Sequence, residues 1–242
     1  MELCIQDLCV NFSTPSGTIP AVNHVSLTVS SQQVTGIIGE TGSGKSVLGL
    51  SILGLLQSNA AVSGRILLDG RELTGLSQRE LCAVRGREIA LVAQNPATSL
   101  NPGVRVGRQI EEVFRLAGES RAESRKHTLE LLEQLAFSQP ERVARAYPFE
   151  LSGGMCQRAL TAIAVAARPR WIIADEPTKG LDAVVRNQVY DTFRMVREHY
   201  HVGFLVITHD LLLARKFCDR IVVMYCGRVL ETNTARELFE HP

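Results

Sequence analysis

The sequence holds 242 residues, 45% of them hydrophobic, with a net charge of +1. That apolar content excludes a disordered chain, and the near-zero charge offers no bulk attraction for nucleic acid. No apolar run reaches the roughly 18 residues that cross a bilayer, and the start, Met1-Glu2-Leu3-Cys4, lacks the basic and apolar segments of a signal peptide.

The chain is therefore expected in the cytosol, unless a partner draws it to a membrane. Cysteines stand at 4, 9, 82, 156, 218 and 226, with neither CxxC nor zinc-finger spacing. They are expected to be reduced and mostly buried, packing as small hydrophobes.

In chain order, Leu8, Val10 and Phe12 alternate with polar or small residues, and Ser13 to Gly17 reads as a turn. Val25 to Val29 alternates again, so an antiparallel pair is expected. Val34 to Ile38 is a short buried strand, running into Gly39-Glu40-Thr41-Gly42-Ser43-Gly44 and a helix from Lys45 to about Leu56. Gly64 to Gly70 reads as a strand with a tight Asp-Gly turn, and Ile89 to Ala93 as another apolar strand. A proline-punctuated loop follows through Pro102, and Val106 to Phe137 is helical in pattern.

A loop with Pro140 and Pro148 leads to Leu151-Ser152-Gly153-Gly154 and a helix over Met155–Ala167. Strands at Trp171–Ala174 and Phe204–Ile207 alternate with helices at Val184–Glu198 and Leu211–Phe217. A hairpin of Ile221–Tyr225 and Val229–Glu231 turns at Gly227, and Thr234 with Glu237 opens a last helix with capping-box spacing. Apolar strands alternating with helices imply a parallel α/β sheet.

Gly39-x-x-x-x-Gly44-Lys45-Ser46 has the form of a phosphate-binding loop, between an apolar strand and a helix. Glycines let backbone N–H groups approach phosphate oxygens, and the helix N-terminus adds positive potential. Lys45 suits the terminal phosphates, and the Ser46 hydroxyl suits Mg²⁺. Trp171-Ile172-Ile173-Ala174 ends in Asp175-Glu176, which supply one carboxylate for Mg²⁺ and one for the attacking water. His209 ends another apolar strand, on the edge where ligands sit in parallel sheets. Leu-Ser-Gly-Gly before a helix again offers Ser152 and glycine amides to a phosphate.

Together these residues make the chain resemble an ABC-type ATPase over nearly its whole length. The resemblance implies that Ser152, Gly153 and Gly154 face ATP held by a second subunit, so that one chain owns two half-sites. It implies ATP and Mg²⁺ as ligands, with Gly39 through Val47 binding the nucleotide and Ser46, Gln94 and Asp175 near the metal. Glu176, His209 and Gln94 would act in catalysis, and Asp182 of Gly180-Leu181-Asp182 would cross to the partner site. Phe12 matches the adenine-stacking aromatic, although its alternation with Leu8 and Val10 equally suits a core position.

The implied fold is a P-loop NTPase with a RecA-like parallel-sheet core and an antiparallel β subdomain, over residues 1–94 and 160–242. A helical subdomain bearing the signature would span residues 95–159, all within a single ATPase domain. Pro96 to Pro102, Tyr147 to Glu150, Ser152 to Met155 and Met224 to Arg228 resemble the oligopeptide, dipeptide and nickel importer group. That group implies two transmembrane permeases, a second ATPase subunit, identical or related, and indirectly an extracytoplasmic binding protein. The place would be the cytoplasmic face of the inner membrane, peripherally attached, with a peptide, nickel or a metal chelate as cargo.

Three features depart from the group. Cys156 stands where Arg is frequent, and Lys179 stands where small or hydroxyl residues are frequent. The sequence stops at His241-Pro242, where the group continues. A soluble ABC ATPase is the alternative, but neither a tandem cassette nor a long heptad insertion is visible. A non-hydrolysing module would be expected to lose Glu176 or His209, and both are present.

Overall fold

Two sheets divide the strands. The computed structural model describes residues 1–240, apart from the side chain of Ala97. His241 and Pro242, on which the reading of the C-terminus fell, lie outside the described residues, as does the Ala97 side chain of the Pro96–Pro102 motif.

The chain opens with β1 (Glu2–Thr14) and β2 (Gly17–Ser30), then β3 (Val34–Ile38), α1 (Lys45–Ile52), β4 (Ala60–Leu68) and β5 (Arg71–Glu72). Next come α2 (Gln78–Val84), β6 (Ile89–Val92), α3 (Pro96–Ser99), α4 (Val106–Leu116), α5 (Arg121–Gln134) and α6 (Pro140–Arg145). A single 3₁₀ turn at Pro148–Glu150 precedes α7 (Gly153–Ala166), followed by β7 (Trp171–Asp175), α8 (Ala183–Tyr200) and β8 (Gly203–Thr208). The chain closes with α9 (Leu211–Phe217), β9 (Arg220–Tyr225), β10 (Arg228–Thr234) and α10 (Ala235–Glu240).

One sheet is antiparallel, in the order β2-β1-β4-β5. The other runs β10-β9-β3-β8-β7-β6, parallel except for the β10 edge. Strands β3, β7 and β8 are buried at every residue, which is why they read as continuous apolar runs rather than alternating ones. Two apolar clusters fill the interior. One joins α4, α5 and α7 to one face of the larger sheet, and the other packs α1 and the antiparallel sheet against the opposite face.

Local chemistry sets several boundaries differently from the sequence reading. Helix α1 ends at Ile52 rather than near Leu56, because Gly54 turns left-handed at φ 59° just beyond it. The long helical pattern splits into α4 and α5 around Gly118, and Ser120 caps the second piece. Segments read as loops contain α3 and α6, each begun by a proline, the residue suited to a first helical turn. Of the six thiols only Cys156 and Cys218 are buried, so the expectation of mostly buried cysteines is corrected. Cys82 and Cys226 are exposed, at a helix surface and a hairpin turn.

Candidate functional site

Strand register alone gathers the predicted residues. Ile38 pairs with Thr208, and Ile207 pairs with Asp175, so β3, β8 and β7 end level with one another. Val92 pairs with Ala174, which brings the β6 end to the same edge. The loop from Gly39, the Asp175-Glu176 pair, His209 and Gln94 therefore share the carboxyl edge of the parallel sheet, where such sheets hold ligands.

The phosphate loop is braced from below. Gly44 caps α1 in the left-handed region at φ 94°, and a Cβ there would overlap the Ala21 carbonyl. A Cβ on Gly39 would likewise overlap the Met224 carbonyl. The Gly227 amide donates to the Ser43 carbonyl at 3.1 Å. Met224 to Arg228 stood out in the sequence as a group resemblance and Gly227 as a turn, but that these backbone groups and Ala21 brace the phosphate loop was not legible there.

Lys45 is buried, and its ammonium donates to the carbonyls of Gly39 at 2.8 Å and Glu40 at 2.7 Å, and to Ser43 Oγ at 3.3 Å. Burial pulls its pKa down, while the charges of Glu176 and Asp175 oppose that fall. Glu40, Thr41 and Gly42 are exposed, and Val47 packs on the core beneath.

Ser46 Oγ donates to Asp175 Oδ1 at 2.9 Å. Burial pushes the Asp175 carboxyl up, with the Ser46 hydrogen bond and the Lys45 and Lys179 charges pulling the other way. Glu176, with φ 46°, turns off the strand and its amide donates to the Ile207 carbonyl at 2.7 Å. Its Oε2 lies 2.7 Å from His209 Nδ1 and 3.5 Å from Thr208 Oγ1. Thr208 went unremarked in the sequence, although it stands directly before His209. Asp210 caps α9 and accepts from Thr178 Oγ1 at 3.2 Å, tying the segment after Glu176 to the segment after His209.

Ser46 Oγ and the Asp175 carboxylate, 2.9 Å apart, are oxygen donors, which suits a hard cation. Among the described residues no cluster of three or more His, Cys, Asp or Glu residues forms a metal cage. Mg²⁺ is commonly held by one or two protein groups together with substrate phosphates, and Ser46 with Asp175 offers such groups.

Ser152 caps α7, accepting from the Met155 amide at 3.3 Å, and it is exposed together with Gly153. The neighbours of Gly153 and Gly154 are Leu181, just before α8, and Val185, in its first turn. Asp182 caps α8 through the amides of Val184 and Val185, both at 2.9 Å. Phe12 is half-buried on the antiparallel sheet's cluster, opposite Ile19 and Ala60. Lys179 is exposed and makes no ion pair among the described residues.

A family model described as ABC transporter matches residues 22–179. The chain belongs to the ABC transporter family, as an ATP-binding domain. The oligopeptide transport ATP-binding protein OppD of Salmonella typhimurium is 39% identical over 239 residues, 98% of this chain and 71% of that protein. The peptidoglycan transport ATP-binding protein YejF of Agrobacterium fabrum is 44% identical over 99% of this chain, which spans 44% of that protein's length. Among solved structures, the dimeric post-hydrolysis state of the ATP-binding cassette MJ0796, bound to ADP and Pi, matches with a TM-score of 0.86 and 28% identity. The match covers 97% of this chain and 99% of the other. The fold is accordingly that of an ABC cassette, a P-loop NTPase, and the protein is an ATPase that binds ATP. Among the described residues no helix is long and apolar enough to cross a membrane.

Proposed function

We propose that this ABC cassette powers import of oligopeptides, working as a pair of ATPase subunits on the cytoplasmic face of a membrane beneath two permease subunits. The observation that carries the ATPase half is the 2.9 Å contact of Ser46 with Asp175, beside Lys45 and Glu176 on one sheet edge. The transport names of the relatives support the cargo class.

In this reading Lys45 leaves its own loop carbonyls for the β- and γ-phosphates, and Phe12 stacks on adenine. Mg²⁺, held by Ser46, Asp175 and the Gln94 side, neutralises charge on the phosphates when bound. Glu176, oriented by His209, accepts the proton of the attacking water. Ser152, Gly153 and Gly154, at the open end of α7, close over the ATP of the second subunit, and Asp182 reaches across beside them. Fixed donors aimed at developing charge carry most of the rate in phosphoryl transfer. The core and β subdomain, residues 1–94 and 160–242, would then move against the helical residues 95–159, with the Gln94–Pro102 segment as the hinge to a permease.

Uptake of labelled oligopeptide and of nickel into proteoliposomes holding this chain and the membrane subunits it purifies with tests the proposal. ATP-dependent oligopeptide uptake, abolished by Glu176→Gln, is expected. ATP-dependent uptake of nickel alone would overturn the cargo, and uptake that is indifferent to Glu176→Gln would overturn the motor role.

A further inference from the structure

Strand β2 leaves its ladder with β1 at one point. Between the pairs Leu8–Val25 and Val10–Val22, Asn23 and His24 of β2 stand against the single residue Cys9 of β1. His24 takes φ 53° there. Such a bulge bends its strand and re-aims the residues in it. The freed Asn23 amide donates across to the other sheet, to the Gly227 carbonyl at 2.8 Å.

Gly227 sits in the β9–β10 turn. Cys226 at φ 48° and Gly227 at φ 77° are both left-handed, the backbone of a tight two-residue hairpin. The Gly227 amide donates to the Ser43 carbonyl of the phosphate loop at 3.1 Å, while its own carbonyl accepts from Asn23. One glycine thus links β2 to the phosphate loop. No side chain fits between them, because a Cβ on Gly227 would come within 2.9 Å of the Ala21 carbonyl oxygen.

Two side chains lock the same joint. With its oxygen turned to Arg228, the Asn23 side chain accepts from Nε and Nη2 of that guanidinium, both at 3.0 Å. A fork of charged donors is directional, and stronger than a neutral hydrogen bond. The joint lies between the two ends of the nucleotide site. Phe12 is on the antiparallel sheet, opposite Ile19, and Ile19 shares β2 with Asn23. The phosphate loop leaves β3 of the parallel sheet.

We propose that Asn23 and Arg228 are positioning residues that hold the antiparallel sheet in register with the phosphate loop, so that one nucleotide meets its base and phosphate contacts together. The inference rests on the nucleotide reading above, which it deepens by naming what sets the spacing between the two ends of the site. Neither side chain needs to touch the ligand. A ligand with both a base and phosphates gains from a fixed spacing, because its second contact needs little further ordering once the first is made. A ligand with phosphates alone gains nothing from it.

The test titrates the purified full chain calorimetrically with ADP and with inorganic pyrophosphate, neither of which carries a γ-phosphate to transfer. The quantity read is the dissociation constant of pyrophosphate divided by that of ADP. In Asn23→Ala and in Arg228→Ala this ratio should fall at least about fivefold, through weaker ADP binding with pyrophosphate affinity kept. The double variant should fall no further than either single one, as partners in one contact do. Asn23→Asp still offers oxygens to the guanidinium and should keep the wild-type ratio.

Arg228 is exposed and Asn23 half-buried, so neither truncation opens the core. A ratio unchanged in both alanine variants overturns the proposal. So does an equal loss for the two ligands, which marks a general weakening of the fold. A wild-type chain that binds pyrophosphate as tightly as ADP also overturns it, since no base contact is then left to register. Phe12→Ala separates the proposal from the reading beneath it. A ratio that falls in Asn23→Ala but not in Phe12→Ala moves the base contact elsewhere on the sheet and leaves the joint standing.

Discussion

His209 Nδ1 lies 2.7 Å from Glu176 Oε2, so the strand ends of β8 and β7 are joined by these two side chains. The contact fixes the direction of the carboxylate before any substrate arrives. Glu176→Gln should keep ATP binding and lose turnover by about 10²–10³, the cost of about 3–4 kcal/mol typical of one transition-state contact. His209→Ala should lower turnover as well, and combining it with Glu176→Gln should add little, because the two act as a unit. Single-turnover hydrolysis of radiolabelled ATP checks both. Activity in Glu176→Gln above a tenth of wild type would count against the assignment.

Lys45 lies buried against its own loop, satisfied by two carbonyls and a hydroxyl. Lys45→Ala removes the ammonium proposed to meet the β- and γ-phosphates, and calorimetric ATP titration should show tight binding lost. Unchanged affinity would place the phosphates elsewhere.

Gly154 sits where a Cβ would overlap Cγ1 of Val185 on α8. Valine is stiff at χ1 and cannot swing clear. Gly154→Ala should therefore cost about 1–3 kcal/mol by overpacking and displace the Ser152 loop. Val185→Ala should restore much of both losses. Thermal unfolding and steady-state ATPase of the single and double variants measure this, and purely additive defects would deny the contact.

Two capping boxes give a pH signature. Hydrogen bonds from the Ser77 side chain and amide hold the Glu80 carboxyl below its ordinary value of 4.5, and Ser120 does the same for Glu123. A depressed folded pKa stabilises above the unfolded value, and that stability is lost as pH falls through the folded value. Glu80→Gln/Glu123→Gln should be less stable than wild type near about pH 7, with the gap narrowing as the pH drops below about 4. Urea midpoints across that range check it, and a gap that widens in acid would contradict it.

Much of this architecture is legible in the sequence because its signals are local. The runs Val34–Ile38 and Trp171–Asp175 are apolar because both faces of each strand are covered, and the loop from Gly39 needs its glycines to pass the Ala21 and Met224 carbonyls. What escaped is non-local or weakly periodic. Helix α2 is seven residues, too short for a helical period to show, though Ser77 and Glu80 offered a capping signal. The Ala21, Met224 and Gly227 supports act through backbone atoms, which any residue supplies.

The split site is tested most directly by the structure of Glu176→Gln trapped with ATP and Mg²⁺. Ser152 Oγ and the Gly153 amide should lie within about 3 Å of the γ-phosphate held by the second subunit's phosphate loop. An ATP-loaded complex in which Ser152 faces solvent, away from every nucleotide, would contradict it.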